Sequence, residues 1–152
     1  KINKKKSQIR KVKFGKNVTI VEPVNLYECK IGDNCFIGPF VEIQKNVIIG
    51  KNTRIQSHTF ICENVRIGNN CFIGHGVNFT NDKFLNNKIL KKKYLSTTVG
   101  DNVLIGSGVT ILPIKIEKNV TLGAGSVITK NCKKNKVYLG NPAKIHQKNE
   151  KK

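Results

Sequence analysis

Few side chains in this chain of 152 residues are equipped for acid–base or metal chemistry, and three histidines head that short list. An imidazole is the side chain best placed to take a proton near neutral pH. His75 stands two residues after Ile73, and Asn81 stands two after Phe79 with Asp82 beside it. Glu63 lies eighteen residues before Asn81, and His58 lies three after Ile55. His146 falls in a lysine-rich tail. A zinc site built from three histidines therefore lacks its third ligand, which argues against a zinc hydratase, and no metal is expected. The five cysteines include no CxxC pair. Cys29, Cys35 and Cys71 read as reduced packing residues, and a reducing cytoplasm is the expected compartment.

These residues are positioned by an internal repeat. Ile31, Ile37, Ile43, Ile49, Ile55, Ile61, Ile67, Ile73 and Phe79 recur at every sixth position, each preceded two residues earlier by a cysteine, valine or threonine. A helical period of 3.6 would scatter these residues around its circumference, and one long strand would need turn residues only at its ends. Very short strands with a corner every sixth residue accommodate the pattern. The aliphatic residue and the one two before it share a strand face, by the twofold alternation of a strand, and both point inward. Three strands close a triangular coil of roughly eighteen residues, stacked on its neighbours at about 4.8 Å. Glycine or asparagine supplies the positive φ that many corners need. On this frame His58 and His75 sit at outward corners. His75 and Asn81 occupy adjacent corners of one coil, so a site using both draws them from neighbouring chains. Glu63 shares the corner column of Asn81.

The chain reads as one domain, 1–152, with coils at about 14–79 and 99–130, a long inserted loop at 80–98 and a short C-terminal tail at 131–152. About six coils result, with Ile9 and Val12 available for a first edge strand. The step from Leu26 to Ile31 is five residues, as is that from Ile111 to Ile116. The stretch 80–98 is too polar for a coil, and loops beyond about 15 residues are uncommon and often functional. Gly123, Ala124, Gly125 and Ser126 form a small corner that permits close approach of a ligand. Val137–Ala143 reads as a short strand ended by Gly-Asn-Pro-Ala, and the residues from Lys144 onward as a frayed helix or a disordered end.

The formal charge of +19 raises a nucleic-acid reading, but the distribution of the charge opposes it. Eight of the 28 Lys and Arg residues lie in 1–16, eight from Lys130 onward and five in 83–93, with a single aromatic residue in each stretch, too few for base stacking. The expectation is solvated lysines that attract a phosphate-rich small ligand. No stretch approaches the ~20 apolar residues of a membrane span.

The segments VNLYECKIGDNCFIG, CFIGHGVNFTND, VTILP, LGAGSVITK and LGNPAKI resemble the hexapeptide-repeat acyltransferases. The closest likeness is to the branch that N-acetylates nucleotide-linked 3-amino sugars for surface polysaccharides. That resemblance implies an all-β, left-handed parallel β-helix assembled as a homotrimer, with acetyl-CoA lying between two β-helices. It implies Gly106 and Ser107 at the pantetheine and thioester end, Gly123, Ala124 and Lys130 farther along, and Asn141 and Pro142 at the adenine. It places the acceptor amine at Asn81 and Asp82, with Glu63 and His58 near the substrate and His75 as a secondary general base. The sequence departs from the family in LPIKI, where LPGVTI is usual. A sugar O-acetyltransferase using His75 as base and a non-enzymatic β-solenoid binding module are the alternative readings.

Overall fold

The computed structural model describes residues 8–84 and 94–146; the interior of the expected loop and the last residues of the tail lie outside them. Among the described residues there are twenty-one short strands and no helix. All strands but the last pair in parallel, and they stack into three sheets that form a triangular solenoid of about seven turns, consistent with a left-handed β-helix. We call the sheets face A (Leu26, Ile43, Ile61, Phe79, Ile111 and Ile128 inward), face B (Ile31, Ile49, Ile67, Val99 and Ile116) and face C (Ile37, Ile55, Ile73, Ile105 and Leu122). The chain runs B to C to A and back to B.

The hexad frame is the core. Every aliphatic position from Ile31 to Phe79 is buried, as is every partner two residues before it, from Cys29 to Val77. Thr53 and Thr59 occupy this inward slot because their hydroxyls donate to the carbonyls of Gly68 and Gly74, at 3.0 and 2.9 Å. A buried hydroxyl without such a partner would be costly.

Asparagine and glycine supply most of the positive φ at the corners, as expected, but the glycines that directly follow the aliphatic positions have another role. Gly32, Gly50 and Gly74 lack positive φ. A Cβ there would run into the backbone of the next coil, at 2.9, 2.5 and 2.6 Å. Positive φ is instead carried mostly by asparagine, whose short polar side chain tolerates the left-handed region. Asn17, Asn34, Asn52 and Asn70 form a ladder down the B/C edge, each amide donating to the next at 3.1–3.2 Å.

Departures from the six-residue step all fall on one edge. From face B to C, and from C to A, the inward positions advance by six in every coil. From A to B they advance by five at Leu26–Ile31 and Ile111–Ile116, by four at Ile128–Cys132, and by the whole loop at Phe79–Val99. Pairing survives the loop, since Val65–Ile67 stacks directly on Thr97–Val99.

The solenoid is also longer than six coils. Ile9–Arg10 pairs with Leu26–Tyr27, and the coil continues beyond residue 130 through buried Cys132 to Val137–Gly140. Proline does not end the pairing: Asn141-Pro142 sits in a turn, and Ala143–Ile145 returns antiparallel to Val137–Gly140. Lys144 and Ile145 are therefore extended, not helical. Pro142 lies in the turn itself, where its missing N–H costs no ladder bond.

All five cysteines are free and buried. Cys62, in the corner slot after Ile61, is buried as well, and burial pushes its thiol from an ordinary 9.0 up to about 12. Cys29 and Cys132 are pushed up to about 11. An aromatic disulfide reagent should react with no thiol of the native chain and with five after denaturation. These raised folded-state values contribute stability that is present below pH 9 and lost as pH rises through about 11–12, so a thermal melt should weaken across that window.

Candidate functional site

The A/B edge carries a cavity. It opens on face A, has a volume of about 670 Å³, and is lined by Gln44, Phe60, Glu63, Asn78, Asn81 and Asp82, with Phe84 and Tyr94 also in its wall. Phe60 and Asn78 are outward neighbours in register on adjacent strands. Asn81 occupies the point where the coil opens into the loop, and its carbonyl accepts the N–H of Leu95 at 2.9 Å, joining the two ends of the insertion. Asp82 is nearly buried, and its Oδ1 accepts the N–H of Phe84 at 2.8 Å. Glu63 meets Lys45 at 3.5 Å on the ridge of the edge.

The cavity lining carries two carboxylates, Glu63 and Asp82, and one cation, Lys83. Beside Glu63 and Asp82, the face carries Glu42, which accepts hydrogen bonds from Asn25 at 3.1 Å and Gln44 at 2.9 Å. Burial, then the charges of Glu42 and Glu63, hold the Tyr27 phenol above its ordinary value. Carboxylates, side-chain amides and aromatic rings around one concavity suit a polar ligand with a positive group, such as a protonated amine on a sugar.

The C/A edge carries the second group of residues. His75 follows Ser57 and precedes Ser107 in the same corner column. Ser57 Oγ and His75 Nδ1 lie 2.8 Å apart, and the His75 N–H donates to Ser107 Oγ at 3.2 Å. His58 takes a left-handed corner, φ 61°, and its ring stacks on Phe40 with centroids 4.8 Å apart. Gly106, Ser107, Gly123 and Ala124 follow along this edge. Gly106 and Gly123 donate their N–H groups to Leu122 and Tyr138, so these donors already serve the coil-to-coil ladder. A Cβ at Gly123 would overlap the Leu139 side chain. At Gly106 a Cβ would run into the Ala124 backbone at 2.5 Å, so packing alone requires that glycine, whereas at Gly123 only the end of the exposed Leu139 side chain stands in the way.

Sequence reasoning placed Gly125 in a small corner open to a ligand but missed that Gly76 and Gly108 stack in line with it on this edge. Gly76, Gly108 and Gly125 stack there with φ of 62, 69 and 70°, and a Cβ on any of them would meet nothing within 4 Å. Most other left-handed positions carry asparagine, and Phe40 and His58 fill the earlier coils of this column; at these three glycines bare backbone faces open space. The signal was present in the sequence as glycine two residues after His75's neighbours Gly74 and Gly106 and after Gly123, but it was absorbed into the general small-residue corner.

The expected residues therefore form two groups. Asn81, Asp82 and Glu63 meet at the A/B cavity, as the corner count requires. His58, His75, Gly106, Ser107, Gly123 and Ala124 line the C/A edge. Lys130 follows Ile128 at the A/B edge, and Asn141 and Pro142 form the hairpin turn after face C. Gln44, Phe60, Asn78 and Tyr94 were not anticipated. The first three are outward residues that the inward hexad does not specify, and Tyr94 reaches the cavity through the path of the loop. Among the described residues no group of His, Cys, Asp or Glu could hold a metal ion, and no helix is long and apolar enough to cross a membrane.

Comparison with known proteins matches the repeat described as bacterial transferase hexapeptide (six repeats) to residues 28–63. The hexapeptide repeat of succinyl-transferase matches residues 64–77 and 96–130, and together the two cover more than half of the chain. A galactoside O-acetyltransferase of Lactococcus lactis is 41% identical over 59 residues, 38% of this chain and 27% of that protein. A hexapeptide transferase family protein of Anaplasma phagocytophilum has a similar structure, with a TM-score of 0.74 at 21% identity, over 91% of this chain and 81% of that one. A variant of the GDP-perosamine N-acetyltransferase of Caulobacter crescentus, solved with CoA and GDP-perosamine, gives a TM-score of 0.69 at 19% identity, over 87% and 54% of the two chains. The match spans less than a third of the length of the curated relatives. At these identities the structural likenesses show the fold.

Proposed function

Because the chain belongs to the hexapeptide-repeat transferase family, we propose that it is an acetyl-CoA-dependent N-acetyltransferase acting on the amino group of a nucleotide-linked amino sugar. A 3-amino-3-deoxy sugar of surface polysaccharide biosynthesis is the acceptor that the segment resemblance supports. The observation that carries the reading is the cavity at the A/B edge, where the amide of Asn81 and the carboxylates of Asp82 and Glu63 converge beside aromatic rings. Carboxylates accept from a sugar hydroxyl as well, but a protonated amine adds charge attraction to the hydrogen bond.

In this reading the acceptor's nitrogen attacks the thioester carbonyl, a new C–N bond forms, the coenzyme thiol leaves, and the nitrogen loses a proton. Asn81 orients the amine, and Glu63 and Asp82 draw it in. An amino sugar is partly neutral near pH 7, so proton removal is a lesser requirement than for a hydroxyl. His75 is the secondary base: in the tautomer that carries its proton on Nδ1, that N–H donates to Ser57 Oγ and Nε2 is left to take a proton. Galactoside O-acetylation by the Lactococcus lactis relative keeps the O-acetyl alternative in view, and retention of amine activity in His75→Ala would exclude it.

The glycine column fits the coenzyme. Open backbone at Gly76, Gly108 and Gly125 lets a pantetheine arm approach closely, and complexes of the Caulobacter crescentus relative contain CoA. Assembly as a trimer would bring the A/B cavity of one chain to the C/A edge of another. Exposed apolar residues support that contact: Val21, Phe40, Phe72, Leu104, Leu139 and Ile145 all lie on face C or its C/A edge, more than solvated surface needs.

Gly108→Asn tests the coenzyme edge. Asparagine already occupies left-handed corners throughout this chain, so folding should survive within a few degrees of melting temperature. Its side chain would enter the column, and KM for acetyl-CoA should rise at least tenfold. An unchanged KM would move the coenzyme elsewhere.

A further inference from the structure

The A/B edge separates two cavities, not one. Gln44 lines the face A cavity and Asn46 a second cavity on face B; Glu63 and Asn64, and Tyr94 and Ser96, divide in the same way. The second cavity has a volume of about 490 Å³ and is lined by Glu28, Lys30, Asn46, Asn64, Arg66 and Ser96, with Val47 and Ile48 behind. One residue of ridge, Lys45 or Leu95, stands between the two.

The chemistry of the two sides is opposite. The face A side has two carboxylates, Glu63 and Asp82, against one cation, Lys83, and is aromatic. On the face B side Lys30 and Arg66 project outward in register on either side of Ile48, two coils or about 10 Å apart. None of the three ion pairs among the described residues involves either of them. Asn46 Nδ2 donates to Asn64 Oδ1 at 3.3 Å, which leaves the Asn64 amide N–H groups for another acceptor. Glu28 is the single carboxylate of this lining. A guanidinium and an ammonium converging with an amide and a hydroxyl make a site for a phosphate-bearing group.

We propose that this second cavity is the diphosphate subsite of the acceptor. The amino sugar occupies the face A cavity, its glycosyl phosphate crosses the edge, and the diphosphate seats between Lys30 and Arg66. Glu28 accepts from a ribose hydroxyl at the N-terminal end. The proposal rests on the N-acetyltransferase reading for the identity of the ligand.

Binding separates the two ideas. Uridine and thymidine diphosphate, titrated calorimetrically without any sugar, should bind the full chain, and Lys30→Gln/Arg66→Gln should weaken them at least tenfold. The same variant should raise KM for a nucleotide-linked amino sugar while leaving acetyl transfer to the methyl glycoside of that sugar unchanged. Equal diphosphate affinity in the two proteins, or no binding by either, would overturn the subsite whatever the transfer assay reads. Diphosphate binding lost in the variant, without acetyl transfer to any amino sugar by the wild type, would sustain the subsite and overturn the catalytic reading.

Discussion

Ile55→Asp is expected to leave no cooperatively folded chain at 37 °C. Ile55 is fully buried on face C, in register between Ile37 and Ile73. A carboxylate there has no partner, and an unpaired charge or a protonated acid in an apolar core costs on the order of several kcal/mol. Domains are stable by only about 5–15 kcal/mol, and each coil of a solenoid depends on its neighbours. The adjacent residue gives the control. Arg54 is exposed, with its guanidinium 4.4 Å from the centre of the Phe36 ring. Arg54→Ala removes that contact and should cost about 0.5–1 kcal/mol, a few degrees in a thermal melt. Equal melting temperatures for the two variants would mean that the inward and outward positions have been exchanged.

Asn81→Ala is expected to lower kcat/KM for the amino sugar at least tenfold, about 1.4 kcal/mol of transition-state stabilisation. Its backbone role is kept, because the bond from Leu95 goes to the Asn81 carbonyl, which alanine retains. What is lost is the amide that faces the cavity beside Asp82. Affinity for acetyl-CoA should stay near wild type, since the glycine column lies on a different edge. His75→Ala, measured in parallel, should be milder, with a defect that shrinks as pH rises and more of the amine arrives neutral. A fully active Asn81→Ala together with a His75→Ala dead at every pH would replace the orienting amide with a histidine base.

The sequence made the core legible because the hexad is a statement about inward side chains. Ile31 to Phe79 and their partners two residues earlier are all buried, and the shared corner of Glu63 and Asn81 followed from counting eighteen. Outward residues obey no such rule. Phe60 and Asn78 face the cavity, yet nothing in their spacing distinguishes them from Glu42 or Thr110, which stand in the same outward row. The five-residue steps were visible as numbers. That they share an edge with the loop required knowing which face each strand joins. The end of the coil was misplaced because Cys132 and Tyr138 are spaced by four and ten from Ile128, and because a proline in a hairpin turn looks in sequence like a proline that ends a strand.

The most direct test is thiol release from acetyl-CoA, measured with a panel of nucleotide-linked amino sugars and, for each, the matching sugar with a hydroxyl in place of the amine. The amine-bearing sugars should release thiol stoichiometrically with an N-acetylated product, fastest for a 3-amino-3-deoxy sugar, and the hydroxyl partners should stay at background. Thiol release with the hydroxyl sugars and none with the amines would contradict an N-acetyltransferase and leave the same fold performing O-acetylation.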